Sequence, residues 1–486
     1  MPKKYHLKPK TALSRSVPLG PFGIIEGDGC LNCSKCVKKA CAYEVYQKRT
    51  YDAQQMADTA DSLCKNCFRC VQECHARILS KSANPEYWSM GDDYWTPEII
   101  GTTQRQAETG KIPVSGGGYG GPFSGPGFDS MWTDMSEIVR PTRDGIHGRE
   151  YISTAMELGR AAQPAAFMSS FESRGGGEIG GSPRVEISIP FLFDLLPFQD
   201  SAPPVLAAVA RAAKEVNTLM ILPAESITGE MASWTRRLVP LLPPGNLERF
   251  RPLIQQCRMV QILGDDETPR RMGEIKNYHD GAIVCVRLPL TPCAEDEVEL
   301  LVRAGAEVVH LLADEKGREQ GTSDPPFVKD RIRSIHQLLV KKGLRDQVTL
   351  IFGGGIALAE HVAKAILCGA DAVSVERPLL VSLGCRLCGQ CKQGEPCPVG
   401  VGNIEPGWGR QRVVNLVAAW HGQLLEVLGA MGMRDVRRIR GEVGRAIFRE
   451  EIERETFGQI FGPRAKVHRP AAQPTQQGEE VRVVAT

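Results

Sequence analysis

Long apolar runs are missing from this chain of 486 residues: none reaches the roughly 18 consecutive apolar residues that a membrane-crossing helix needs. The opening MPKKYHLKPK also lacks the apolar centre of a secretion signal. These absences lead us to expect a cytoplasmic protein with no membrane span. Charge of one sign is scarce too, since 59 Lys and Arg against 57 Asp and Glu leave a formal +2. With only short basic runs, no field exists to hold a phosphate backbone, and nucleic acid drops out as a partner. No G-x-G-x-x-G follows an apolar strand and opens a helix, so NAD(P)H is expected to react on another subunit. The 42% hydrophobic and 24% charged residues are ordinary for a globular chain, and the length suggests about two to four domains.

Cysteine is what the chain has in plenty. Twelve of its sixteen fall into three tight runs, a pattern that points to metal ligation rather than a disulfide scaffold. The first run is Cys30-x2-Cys33-x2-Cys36-x4-Cys41, and the second is Cys64-x2-Cys67-x2-Cys70-x3-Cys74. Two-residue gaps let consecutive thiolates on one loop reach three corners of a [4Fe-4S] cube, while a fourth cysteine further on reaches a neighbouring cube. By analogy with two-cluster ferredoxins, Cys30, Cys33, Cys36 and Cys74 would hold one cluster, and Cys64, Cys67, Cys70 and Cys41 the other. The usual proline after the fourth cysteine is replaced by Ala42 and His75. The third run is Cys385-x2-Cys388-x2-Cys391-x5-Cys397, followed by Pro398. Structural zinc is the competing reading for all three, although zinc sites rarely use three equally spaced cysteines. Cys257, Cys285, Cys293 and Cys368 are isolated, mostly in apolar runs, and read as core packing.

From about residue 182, apolar runs alternate with helical ones. Candidate strands are 184–191, 218–222, 259–263, 282–288, 307–312, 348–352 and 372–375, and candidate helices are 204–216, 295–304, 329–342 and 357–367. Seven strands, nearly all apolar, suit an α/β fold, an eight-stranded (β/α)8 TIM barrel with one strand unrecognised. A doubly wound open sheet is the alternative. The expected organisation is a two-cluster module at 20–85, a Gly/Pro-rich connector at 86–150, the barrel at 151–402 with its cluster loop at 385–397, a helical extension at 403–462 and a disordered tail at 463–486. Within the extension, 434–449 reads as an amphipathic helix. The third run follows the last candidate strand, which places its cluster at the barrel's C-terminal mouth, where such folds keep their chemistry.

The strand 348–352 runs straight into Gly353, Gly354 and Gly355 and then a helix. Glycines there let backbone amides approach an anion at a helix start, and by position this is the loop after strand seven, a common phosphate site in barrels. A flavin mononucleotide phosphate would suit it. A tight turn with no ligand is equally compatible with three glycines.

The segment FGGGIALAEHVAKAILCGADAVSVERPLLVSLGCRLCGQCKQGEPCPVGV, together with the N-terminal runs and RPTRDGIHGREYIS at 140–153, resembles the FMN-binding synthase domain of glutamate synthases in its short, ferredoxin-fused form. The resemblance implies reduction of 2-iminoglutarate, formed from 2-oxoglutarate and ammonia, by FMN fed with electrons through the clusters. It also implies that Gly354 and Gly355 hold the FMN phosphate and that Arg287 stands in for a family lysine beside the flavin pyrimidine edge. The family's cluster loop has three cysteines for a [3Fe-4S] cluster, and Cys388 adds a fourth here, favouring [4Fe-4S]. Where the family has Gly-Thr near the phosphate this chain has Glu376-Arg377-Pro378: the Glu376 carboxylate would repel phosphate and Arg377 could attract it. The substrate stretch and the first-strand flavin contact are replaced by ADEKGREQGTSDPP and IPFLFDLL.

Two functions are therefore open: an FMN and iron-sulfur oxidoreductase of the glutamate synthase type, and an electron-transfer subunit that has lost flavin and substrate chemistry. Either implies an oligomeric complex with a redox partner, such as a ferredoxin or an NAD(P)H-oxidising flavoprotein. His147 reads as a structural or solvated histidine and His310 as core.

Overall fold

The computed structural model describes residues 5–16, 18–31, 33, 35–46, 59–112, 125, 127–133, 152–160, 183–197, 202–456 and 458–462. His147, most of the 140–153 phrase, residues 115–124 and the tail from 463 lie outside them.

Eight parallel strands close into a barrel in sequence order. They are β1 (Phe191–Phe193), β2 (Met220–Pro223), β3 (Leu238–Leu242), β4 (Met259–Leu263), β5 (Ile283–Pro289), β6 (Val308–Leu312), β7 (Thr349–Gly353) and β8 (Ala372–Val375). Closure is made by β8 pairing with β1, Val373 opposite Phe191 and Val375 opposite Phe193. Side chains of these strands are buried on both faces, as a parallel sheet sheathed by helices requires. The strand missing from the sequence reading is β3, LVPLL. Pro240 cannot donate a ladder hydrogen bond, which argues against a central strand; here β3 pairs with β4 only from Leu241 onward, past the proline. The expected first strand also divides. Val185–Ile187 turns back antiparallel on Met156–Leu158, and only Phe191–Phe193 enters the barrel. That hairpin closes the N-terminal end, where Gly159 N–H donates to Thr349 Oγ1 at the start of β7 (3.1 Å).

Outside the barrel lie α1 (Pro97–Thr109), α2 (Pro203–Glu215), α3 (Val328–Lys341), α4 (Ala359–Cys368), α5 (Arg377–Ser382) and α6 (Pro406–Ala430). By length and composition α6 could cross a membrane. It lies packed among α2, α1 and α4, and it buries Arg412, Asn415 and Gln423. Arg412 donates to the carbonyls of Ala12, Gln104 and Ser382, and Asn415 to those of Lys10 and Ala107, so one helix ties the N-terminal arm and α1 to the barrel. The expected helix at 434–449 is broken instead into short 3-10 turns and a strand, Ala446–Phe448. Gly441 sits in the left-handed region at φ +73° and ends the run.

At the N-terminus, Phe22–Glu26 and Leu79–Ala83 pair antiparallel and bracket the two cysteine runs. Their small core is built from Ala40, Val45, Tyr46, Cys64, Cys70 and Leu79.

Candidate redox site at the barrel mouth

In the N-terminal module, Cys41, Cys64, Cys67 and Cys70 line one small open pocket, together with Tyr46, Lys65 and Lys81. These are the four residues that the analogy with two-cluster ferredoxins groups as one set, the last cysteine of the first run with three from the second. Of the other set, burial raises the Cys36 thiol, and Cys30 and Cys33 add to the shift, which puts the three thiols within each other's field. Burial also works to raise Cys74, but the backbone amides of Ile78, Ala76, Leu79 and Arg77 outweigh it and hold the thiol below its usual range. A thiolate cradled by amides is a ready cluster ligand, and the donor set fits two [4Fe-4S] clusters.

The third run lies on the loop after α5. Leu387, Gly389 and Gly394 adopt left-handed backbone, φ +50°, +76° and +82°, and this curls the loop around its thiols. Leu387 N–H points to Cys385 Sγ at 3.4 Å. Cys385 is buried and its thiol is pushed up to about 12, by desolvation first and then by Cys397, Cys388 and Cys391 beside it. Cys397, Cys388 and Cys391 are thus near enough to act on Cys385, and four cysteines on one loop suit four irons as well as three.

This loop is held by the segment that follows the N-terminal module. Gly91 N–H donates to the Arg386 carbonyl (3.1 Å), Gln104 to the Cys385 carbonyl (3.4 Å), and Arg386 pairs with Glu86 (3.3 Å). Leu387 packs against Tyr87, Met90 and Trp95. On its other side the loop reaches the mouth, where Lys392 pairs with Glu315 in the loop after β6 (3.4 Å).

Inside the mouth, the polar residues on the strands form one connected network. Arg287 on β5 donates to Asp194 at the end of β1 (2.7 Å) and contacts Gln261 on β4 (3.3 Å). Gln261 Nε2 donates to His310 Nδ1 (3.0 Å), which assigns the His310 proton to Nε2; it faces Ser374 Oγ at 2.8 Å, and Ser374 donates to Asp194 Oδ2 (2.8 Å). Burial drives His310 down to about 3, so it is neutral. Burial works to raise the Asp194 carboxyl, and the Arg287 guanidinium overrides it to hold the group ionised. Beside them Glu376 is pushed up to about 7 by desolvation, with Asp194 adding to the rise. Arg377 contacts Glu315 and lies 3.5 Å from Glu376.

The sequence reading put Arg287, Arg377 and the glycine turn at one mouth, and they are there. Their partners differ from the expectation. Arg287 spends its guanidinium on Asp194. A side chain on Gly353 would meet Ser374 Oγ at 2.2 Å; on Gly354 (φ +89°) the Asp314 carbonyl at 2.5 Å; on Gly355 (φ +68°) the Gly317 backbone at 2.5 Å. Gly354 and Gly355 are thus required by the close approach of residues 313–317, and Gly353 faces Ser374. Asp194 and Glu376 lie beside Arg287, so the guanidinium expected at a flavin edge is already paired with a carboxylate. Asp194, Gln261 and Ser374 escaped the sequence reading, although each is a polar residue at or in an apolar strand (FLFD, MVQIL, AVSV), which was the available signal. His310 is buried as expected, yet it belongs to this network. Cys257, Cys285 and Cys368 are core, whereas Cys293 is exposed because it stands at the start of the helix after β5, outside any apolar run.

Comparison with known proteins agrees with this layout. Residues 325–434, from the end of the β6 loop through the third cysteine run and into α6, match the conserved region in glutamate synthase. An archaeal-type glutamate synthase (NADPH) of Dehalococcoides mccartyi is 25% identical, over 85% of this chain and 92% of its own length. The archaeal glutamate synthase (NADPH) of Archaeoglobus fulgidus is 24% identical, over 89% of this chain and 95% of its own. That of Methanocaldococcus jannaschii reaches 36% over 26% of this chain and 27% of its own. Among solved structures, mandelate oxidase with (S)-mandelic acid is 16% identical and covers 64% of this chain and 97% of its own at a TM-score of 0.39, too distant to bear on function. The similarity thus runs nearly end to end at low identity, with the conserved region spanning the glycine turn and the third cysteine run, and the proteins this chain resembles are glutamate synthases.

Proposed function

We propose that the chain is an iron-sulfur oxidoreductase of the glutamate synthase type, carrying electrons from its N-terminal two-cluster module through a third cluster to the barrel mouth. The observation that carries this reading is the clamped loop at 385–397: a run of four cysteines, held on one side by residues 86–104 and touching the mouth on the other. The electrons would come from a ferredoxin or an NAD(P)H-oxidising flavoprotein in a larger complex. Sixteen thiols outside any disulfide suit the reducing cytoplasm.

The reaction this would serve is reductive amination. Ammonia condenses with the carbonyl of 2-oxoglutarate, water leaves, and two electrons with two protons reduce the imine to the amino acid. The two-electron carrier the family supplies is FMN, which would deliver a hydride at this mouth. What this chain's residues do there is hold a buried, charge-balanced network. The alternative is that the chain passes electrons onward and the substrate is reduced elsewhere.

One preparation tests both. Protein purified anaerobically is expected to carry about twelve irons per chain, as three four-iron clusters require. Flavin near one per chain, with glutamate formed from ammonia and 2-oxoglutarate under a low-potential reductant, would establish the first reading. Full clusters without flavin or turnover would establish the second. Protein that folds with zinc and no iron would sink both.

A further inference from the structure

We infer a divalent cation site, separate from the cysteine runs, that joins the turn Gly127–Ser130 to the start of α4. Asp129, Glu360 and His361 come from two distant parts of the chain, and each offers a ligand atom within 4.8 Å of the other two. A fourth side chain reaches the same place from α6. Gln423 is 8% exposed and donates Nε2 to Glu360 Oε2 (2.9 Å), while among the described residues its Oε1 meets no hydrogen-bond donor. A buried amide oxygen without a donor is costly to leave so, and a cation shared with the Glu360 carboxylate would satisfy it.

The histidine is set up for the same role. His361 Nδ1 lies 3.3 Å from the Gly355 carbonyl, and Nε2 faces Asp129 Oδ1 at 3.4 Å. Donation from Nδ1–H to that carbonyl leaves the Nε2 lone pair aimed at the carboxylate side. A ligating imidazole is commonly anchored in this way, through its other nitrogen to a backbone carbonyl. In the absence of a cation the other tautomer holds the pair together, with Nδ1 accepting from Ala357 N–H (3.2 Å).

Charge permits a divalent ion. Asp129 and Glu360 bring two carboxylates, and the nearby cation Lys364 directs its ammonium to the Phe128 carbonyl (2.8 Å). The dipole at the start of α4 opposes a cation, and two carboxylates outweigh it. Two carboxylates, one imidazole and one amide oxygen, with no sulfur, select Mn²⁺, Fe²⁺ or Zn²⁺ over softer ions. Glu360 and Asp129 are only half-buried, so the trio keeps an open edge for entry. The ion's role is structural. It fastens the Phe128 turn, packed edge-on against Phe327 (5.3 Å between ring centres), to the helix that follows the glycine turn.

Mn²⁺ is the probe, because it binds oxygen and nitrogen and leaves thiolates alone. Anaerobic, cluster-loaded full chain is stripped with EDTA and titrated with Mn²⁺, and the unbound aquo ion is followed by electron paramagnetic resonance. We expect one saturable site per chain and a rise in Tm with Mn²⁺. His361→Ala and Glu360→Gln should each weaken binding by more than about tenfold and abolish the Tm rise, while Asp280→Asn, an exposed control, changes neither. Should a buried variant fail to fold, Asp129→Asn, at the turn, gives the same reading. Wild-type protein that takes up no saturable Mn²⁺, or variants that bind as tightly as wild type, would overturn the site.

Discussion

Glu376 shows what a single residue does when its surroundings oppose its charge. The carboxyl has a folded pKa of about 7, raised by burial, against an unfolded value near 4.5. For an acid whose folded pKa is raised, the folded state holds the proton more tightly than the unfolded one. The stability it contributes is complete below pH 4.5 and is lost as pH climbs toward 7. At about 1.4 kcal/mol per unit, the loss amounts to roughly 3 kcal/mol. Glu376→Gln should therefore leave stability at pH 5 nearly unchanged and raise it by up to about that amount at pH 8, as read from denaturant melts. Equal effects at both pH values would show that the carboxyl is not held neutral. At the third cluster, Cys391 is exposed and its three companions less so. Cys391→Ser should remove or convert one cluster's signal in electron paramagnetic resonance and leave the other two intact. The cysteines were legible because spacing alone carries their chemistry. Asp194 and Gln261 were not, since a lone polar residue in an apolar strand takes its meaning from neighbours on other strands.

Secondary structure elements were legible wherever composition and role agreed. Strands β4 to β8 and helices α2 to α4 appear close to their expected bounds, because buried parallel strands are apolar throughout and the helices between them are amphipathic. The reading failed where a local rule was overridden. Pro240 in β3 is tolerated where the barrel needs it little, and Gly441 breaks a run of charged residues whose periodicity promised a helix. The N-terminal end of the barrel adds a network that no pattern shows. Asp371, just before β8, is fully buried and accepts from Arg345 (2.7 Å), Arg440 (2.7 Å) and the Leu350 amide (2.8 Å). Asp371→Asn leaves the buried Arg345 guanidinium without its carboxylate and should cost about 3 to 5 kcal/mol of stability. Iron content and the mouth network should be untouched, since the site is at the opposite end. A loss under about 1 kcal/mol would mean that Arg440 and Asp346 (2.8 Å) carry the network between them.

At the scale of the molecule, the sequence reading treated the cluster module, a connector, the barrel and a C-terminal helix as successive pieces. Pro85–Trp88 and Pro97–Thr109 are instead helical, the second packed against α5 and α6, and α6 reaches back to the first residues of the chain. Such contacts, up to 405 positions apart in sequence, leave no local pattern. Arg412→Ala would strand three buried carbonyl oxygens, those of Ala12, Gln104 and Ser382. We expect a loss of several kcal/mol in stability, each unsatisfied acceptor costing about 1 to 3, and faster proteolysis at residues 5–20 than in wild type.

The loop at 385–397 has a consequence for how the protein is made. It is the seam between the first hundred residues and the barrel, and it carries all four cysteines of the third run. Chain grown without iron would leave these cysteines without the cube that is proposed to join them. Maturation of the metal centre and closure of the seam are then a single event, and iron starvation should yield a barrel that is folded while its N-terminal hundred residues exchange amide hydrogen freely.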